Sequence, residues 1–360
     1  MIEPWNLTVV QPPVRPVFRG SGPWQREALL ANLQRSCETV RLASRYFRSK
    51  VIVFPEFFLH GFAPGRSNQH WIDASLRLDG PELRELGDAA REAGAYVAGM
   101  TYEVIDAYPG RFWNTAFVLN PSGEVALVYR KLYAMTGKTR PGDVYDDYVE
   151  RFGGPEALFP VLRTPLGNLG CLVCYDINFP EVTRCLALKG AEVFLHISSE
   201  GRSGYHLPEG GWEMARRVRA YENLAYLAMS NCGPTVDGEG PADLSHGHSQ
   251  VIDFNGQVLN MAETGGDTLI NAEIDIEALR RRRARASLNF LAELSPQIHA
   301  PIYAAAAAWP INRWLDRPGT GVSENREVER EVIAKMTRAG VLEAPTGVQP
   351  ATAGRLPQQE

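Results

Sequence analysis

Short apolar runs that stop abruptly at a polar residue punctuate this chain, and they constrain its fold more than any other feature. Val51-Ile52-Val53-Phe54 ends in Pro55-Glu56, and Val125-Ala126-Leu127-Val128-Tyr129 ends in Arg130-Lys131. Gly170-Cys171-Leu172-Val173 ends in Cys174-Tyr175-Asp176. Runs of this length and composition read as buried strands. Three such strands each deliver a carboxylate, an amine or a thiol at the C-terminal end.

Between the runs lie stretches with helical spacing. Residues 25–48 carry Leu29, Leu30, Leu33, Val40, Leu42, Ala43 and Phe47 at near-helical spacing. Gly80-Pro81 signals a second helix over 81–93, and further helices are predicted over 179–189 and 212–224. Additional strands are predicted at 7–10, 95–100, 115–119, 193–197, 225–229, 248–254 and 268–274. Asn120-Pro121-Ser122-Gly123 and Asn255-Gly256 are turns. This alternation predicts an α/β fold of sheets covered by helices, with residues 1–285 as one domain.

Residues 286–343 form an extension. Its Trp309 and Trp314 call for burial against the core or a partner subunit. Residues 344–360, poor in apolar side chains and rich in Pro, Gln and Thr, are expected to be disordered. Arg280-Arg281-Arg282-Arg283 and Arg285 read as a solvated helix end that suits the helix dipole.

Composition narrows the function. A net charge of −5 argues against a nucleic-acid surface. No apolar run approaches the roughly 18 residues that a membrane span needs, and the first residues lack a signal-peptide pattern. Five cysteines in no regular framework fit free thiols in a reducing cytoplasm. Cys171 and Cys174 form a CxxC pair, but residues three apart on a strand point to opposite faces, which disfavours a redox couple. His246-Gly247-His248 lacks a third ligand at suitable spacing, so no metal is expected.

The three strand ends carry the equipment for attack on an acyl carbon. A thiol attacks only as thiolate and needs a base. Apart from His196, no histidine stands at a strand end in that arrangement. Glu56 is the candidate base for Cys174. Lys131 is the candidate cation for the developing oxyanion, with the Tyr175 N–H as a second donor.

These motifs resemble those of the nitrilase superfamily, the carbon–nitrogen hydrolases. Phe54-Pro55-Glu56 is similar to the family's glutamate segment and Tyr129-Arg130-Lys131 to its lysine segment. Cys174-Tyr175-Asp176, followed by Phe179-Pro180-Glu181, is similar to its nucleophile segment. Arg219-Ala220-Tyr221-Glu222-Asn223 and Gly247-His248-Ser249 add weaker support. The resemblance runs from Leu7 to about Ile276. It implies a four-layer α-β-β-α sandwich, homodimers or larger homo-oligomers formed through the helix near the nucleophile, no cofactor, and a thioester acyl-enzyme.

The resemblance also implies a second glutamate between lysine and cysteine that orients Lys131 and the attacking water. Glu150 is expected there; Glu156 competes, and Asp143, Asp146 and Asp147 crowd the same loop. Ile177-Asn178 replace an arginine found in many amidases of this type, and His196-Ile197-Ser198-Ser199-Glu200 is unusually polar. Tyr175, His196, Ser199 and Trp113 are the candidate substrate contacts, and Trp212 is grouped with them as a wall residue. Cys174-Tyr175-Asp176 is closer to the ω-amidase and carbamoyl-hydrolase branches than to true nitrilases. The expected reaction is hydrolysis of a small linear amide or N-carbamoyl compound, with release of ammonia. A nitrilase, or a non-catalytic assembly module of the same fold, is the alternative.

Overall fold

The apolar runs pair into two six-stranded sheets among the described residues of the computed structural model, which are 2–63, 65–134, 138–200, 211–235, 247–306, 309–319 and 322–344. The first sheet contains β1 (Trp5–Gln11), β2 (Ser49–Val53), β3 (Tyr96–Glu103), β4 (Trp113–Leu119) and β5 (Val125–Arg130). The second contains β6 (Val161–Thr164), β7 (Gly167–Val173), β8 (Val193–Ile197), β9 (Tyr226–Ser230), β10 (Gln250–Ile252) and β11 (Val258–Met261). The last strand, β12 (Thr268–Ile274), returns to the first sheet antiparallel to β1. The orders are β12-β1-β2-β3-β4-β5 and β11-β10-β9-β8-β7-β6.

Each sheet has a parallel centre, β1-β2-β3 in one and β7-β8-β9 in the other, with antiparallel flanks. Parallel strands buried on both faces read as continuous apolar runs, which is why β2, β7 and β8 stand out in the sequence. Helices cover the outer faces. α1 (Arg26–Phe47) buries Leu29, Leu33, Val40 and Ala43, and packs beside α3 (Pro81–Ala93), with its Leu83, Leu86 and Ala90. The short α2 (Asn68–Ala74) sits beside β3. On the other side, α5 (Pro180–Leu188) and α6 (Gly211–Glu222) bring Val182, Leu186 and Ala220 against Leu172, Phe194 and Leu227. The result is the α-β-β-α layering that the resemblance implied.

Several elements have no clear sequence signal. β6 and β11 are half-buried edge strands that carry no apolar run. α2 and α4 (Tyr145–Phe152) span barely two turns, too short for a helical stripe to register. The arginine-rich α7 (Ile276–Arg283) departs from the solvated reading. Arg280 pairs with buried Glu192 at 2.7 Å, and Arg283 donates to the carbonyls of Leu224 at 2.8 Å and Ala191 at 2.7 Å. These arginines tie the helix to the ends of neighbouring elements.

The extension contributes α8 (Pro296–Ala305) and α9 (Val322–Arg338). Trp314 is buried, and its backbone N–H bonds the Asp143 carbonyl at 3.0 Å. The Asn312 N–H bonds the Gly142 carbonyl at 2.9 Å, and the Arg140 guanidinium lies 4.8 Å from the Trp309 ring centre. The segment around Trp314 therefore lies over the loop that follows β5. Of the tail expected to be disordered, residues 345–360 lie outside the described residues.

What positions the site is the meeting of strand ends across the two sheets. The Glu56 N–H, beyond β2, bonds the Ser198 carbonyl beyond β8 at 3.0 Å. The Ser230 hydroxyl donates to the Val10 carbonyl at 2.5 Å, and the Gly233 N–H to the Pro12 carbonyl at 2.8 Å. Ligands of parallel sheets gather outside the C-terminal ends of strands; here two such sets of ends face each other.

Candidate active site

Glu56 is buried, at 1% exposure, just past β2. Its Oε1 accepts Lys131 Nζ at 2.9 Å and Asn114 Nδ2 at 2.6 Å, with Lys138 Nζ 3.9 Å away. Burial alone would push this carboxyl up. The two ammonium groups and the Asn114 amide outweigh it and hold the group below the usual carboxylate range, so it is ionised. The next residue, Phe57, has φ 63°, a left-handed turn that closes with its carbonyl accepting from the N–H groups of His60 and Gly61 at 3.1 and 2.7 Å.

Lys131 follows β5 directly, with its N–H on the Asn114 carbonyl at 2.9 Å. Burial works against its charge, yet the Cys174 sulfur, Glu56 and Asp176 around it raise its pKa. It is a fixed cation at neutral pH.

Cys174 caps β7 with φ 48°. A non-glycine residue in this region stores about 1–3 kcal/mol of strain and persists only where its surroundings hold it. Asp176, fully buried, supplies that hold. Its Oδ2 accepts the Val173 N–H at 3.0 Å and the Tyr129 hydroxyl at 2.8 Å, and its Oδ1 accepts the Tyr133 N–H at 2.9 Å. His196 Nε2 lies 3.1 Å from the Cys174 carbonyl. The sulfur itself faces the Ser199 carbonyl at 3.8 Å. Burial, and then the charge on Glu56, push the thiol up to about 12, so it rests protonated.

Glu56, Lys131 and Cys174 thus converge from three strand ends. Glu150 does not join them. It lies on the exposed side of α4 and has no hydrogen bond or ion pair among the described residues, because the helix turns that position outward. Glu156 is exposed and pairs with Lys189, while Asp143 is buried but occupied by Arg140. From the same stretch of chain, the group that reaches Glu56 is Lys138. Its ammonium sits 4.6 Å from the centre of the Phe57 ring and 5.0 Å from that of Tyr102, and burial brings it down to about 8.

Two candidate substrate contacts also change meaning. Trp113 is fully buried in a separate cluster with Tyr108, Val144 and Tyr148. Alternation along β4 turns Trp113 to that side and Asn114 to Glu56, so the strand serves the site through the neighbouring residue. His196 is fully buried, and burial lowers its pKa to about 4. It is a neutral ring committed to the Cys174 backbone, with no surface left for a substrate. Ser199 stays beside the sulfur through its carbonyl. Tyr175 is half-buried against Phe179 and Trp212, at 5.5 and 6.1 Å between ring centres.

Sequence reasoning missed Asn114, Lys138 and the pair Glu200–Arg216. An asparagine inside the apolar run of β4 is the one signal that pointed to Asn114. Glu200 and Arg216 are both buried and joined at 2.8 Å, and Glu200 also accepts the Ser198 hydroxyl at 2.6 Å. The pair braces the segment that carries the Ser199 carbonyl. Among the described residues no group of three or more His, Cys, Asp or Glu side chains converges as a metal site; His246 lies outside them.

The sequence model of the carbon–nitrogen hydrolase family matches residues 6–284. Among curated proteins, an omega-amidase NIT2 of Bos taurus is 29% identical over 254 residues, 70% of this chain and 86% of that protein. A formamidase of Pseudomonas syringae pv. tomato is 30% identical over 270 residues, 72% of this chain and 70% of that protein. Among solved structures, Saccharomyces cerevisiae Nit3, a member of branch 10 of the nitrilase superfamily, aligns with a TM-score of 0.63 at 21% identity, covering 81% of this chain and 97% of that one. An amidase from Nesterenkonia sp. aligns with a TM-score of 0.59 at 22% identity, covering 83% and 96%. At these identities the structural likeness speaks for the fold alone.

Proposed function

Because this chain belongs to the carbon–nitrogen hydrolase family, we propose that it hydrolyses a small linear amide or N-carbamoyl compound through a thioester on Cys174. The observation that carries this reading is the convergence of a buried carboxylate, a buried ammonium and a strained cysteine from three strand ends. The amidase-type relatives support the same chemistry.

The charges suggest the order of events. With Glu56 ionised and the thiol neutral, attack is coupled to proton transfer: the S–H proton passes to Glu56 as sulfur bonds to the acyl carbon. The C=O pair becomes an oxyanion, which Lys131 Nζ and the Tyr175 N–H receive. Such a donor contributes about 3–4 kcal/mol to the transition state. Glu56 then returns the proton to the leaving nitrogen, the C–N bond breaks, and ammonia departs. Water gives a proton to Glu56 and adds to the thioester. Collapse expels the Cys174 thiolate, which recovers its proton from Glu56, leaving the acid, or carbamate that decays to an amine and carbon dioxide.

We place the enzyme in a reducing compartment such as the cytoplasm, on the strength of five free cysteines. No described helix is long and apolar enough to cross a membrane. A homodimer or larger homo-oligomer is supported by exposed apolar side chains on the helices next to the nucleophile, among them Leu188, Met214 and Val218. The test of the reaction is ammonia release from a panel of amides and carbamoyl compounds, with Cys174→Ala as the blank. Release is expected from the native enzyme only. Equal release by the variant, or acid formed from nitriles with no turnover of the matching amides, would overturn the reading.

A further inference from the structure

The carboxylate beside Cys174 is approached on one oxygen only. Lys131 Nζ at 2.9 Å, Asn114 Nδ2 at 2.6 Å and Lys138 Nζ at 3.9 Å all face Glu56 Oε1. No hydrogen bond among the described residues reaches Oε2. Oε2 can therefore take up a proton and pass it on while Oε1 keeps the side chain in place.

The two cations stand to Glu56 differently. Lys131 is in hydrogen-bond contact and also faces the sulfur, so it serves the oxyanion. Lys138 lies beyond hydrogen-bond distance and acts on the carboxylate through its field. It is buried, so water screens that field little. The rings of Phe57 and Tyr102 hold its ammonium, at 4.6 and 5.0 Å from their centres. The charged and titratable groups that act on it are Glu56, Lys131 and Cys174.

A cation beside a carboxyl group favours the ionised form. It makes the carboxylate a weaker base and the carboxylic acid a stronger acid. Acylation asks for both properties in turn. The thiol needs a base, and the leaving nitrogen then needs an acid, because an amide nitrogen departs only after protonation. The second cation favours the second half.

We propose that Lys138 is a positioning residue that strengthens Glu56 as the acid for the leaving nitrogen, and so matches the site to amides over substrates whose leaving group needs no proton. The inference rests on the hydrolase reading above. In the tetrahedral intermediate the proton taken from sulfur passes from Glu56 Oε2 to nitrogen. The C–N electron pair leaves with the nitrogen as ammonia, and the oxyanion pair re-forms C=O. Glu56 regains its negative charge beside two ammonium groups, and Lys138 stabilises that charge without giving up a proton. From a thioester substrate the thiolate leaves with its own electron pair, and a stronger acid adds nothing.

Two leaving groups on one acyl group test this. Butyramide and S-methyl thiobutyrate are compared by kcat/KM, read as release of ammonia and of methanethiol, at about pH 7, where Lys138 is charged. Lys138→Met should lower the amide value by about 10-fold, a part of the roughly 100- to 10,000-fold that a positioned acid supplies. The thioester value should stay level or rise, which also reports that the variant is folded. Lys138→Arg keeps a cation and should restore most of the amide-to-thioester ratio. A purely structural role for Lys138 would move both substrates together. Equal losses on both, a larger loss on the thioester, or a ratio that Lys138→Arg leaves as low as Lys138→Met would overturn the proposal. No turnover by the native enzyme of these compounds or of any amide in the panel above would instead refute the hydrolase reading, and this proposal with it.

Discussion

Asp176→Asn offers a sharp test of how the turn at Cys174 is held. The carboxyl is fully buried and accepts three hydrogen bonds. Burial raises it from 3.8 to about 6 despite nearby Lys131 and those donors. The sign follows from proton binding. Between these two values the native protein holds the proton more tightly than the unfolded chain. This group therefore stabilises the fold most below pH 3.8, and that contribution fades as pH rises through about 6. Going from pH 7.5 down to pH 5, the native protein gains about 1.4 kcal/mol from this group. Asparagine cannot titrate and gains nothing. Its amide also places N–H against one of the three donors, at a cost of about 1–3 kcal/mol, but that cost is the same at both pH values and cancels. Urea unfolding of both proteins at the two pH values, at one protein concentration, measures the difference. The variant should lose about 1.4 kcal/mol more, relative to the native protein, at pH 5 than at pH 7.5. An unchanged difference, or one of opposite sign, would mean that the three donors and Lys131 outweigh burial, and would refute the reasoning.

Other substitutions probe the remaining parts. Lys138→Met removes one of the two cations that hold Glu56 ionised, so the carboxyl pKa rises. The acid limb of the kcat/KM profile should move to higher pH, and an unmoved limb would deny Lys138 that influence. Arg216→Met leaves Glu200 buried without its partner, which should cost about 3–5 kcal/mol in urea unfolding; Glu200→Gln added to it should recover part of the loss. Trp314→Ala removes the largest buried anchor of the extension and should cost about 3–5 kcal/mol of its docking. Limited proteolysis should then release the segment beyond residue 309 well before the core is cut.

Much of the architecture was readable because strands buried on both faces must be apolar throughout, whatever they pack against. β2, β7 and β8 announce themselves for that reason, and so do the stripes of α1 and α3. The polar residues that end those strands are legible for the same reason: at the end of a buried run a Glu, Lys or Cys stands out. β6 and β11, half-exposed at sheet edges, carry no such mark. The arginines of α7 looked solvated because a sequence window cannot reveal that Glu192 and the carbonyls of Leu224 and Ala191 lie beside them.

What the sequence by itself determined is which buried strands exist and that Glu56, Lys131 and Cys174 sit at strand ends, since local composition and period suffice for that. Only the tertiary structure decided which groups complete the set. Glu150 and Lys138 lie in neighbouring stretches, but one faces water and the other is buried beside Glu56, under rings from Phe57 and Tyr102. Trp113 and Asn114 are adjacent, and the packing of the sheets assigns one to a remote aromatic cluster and the other to the carboxylate. The physical reason is that a charge survives burial only where distant parts of the chain supply its partners, and those partners are brought together by packing, not by neighbourhood in sequence.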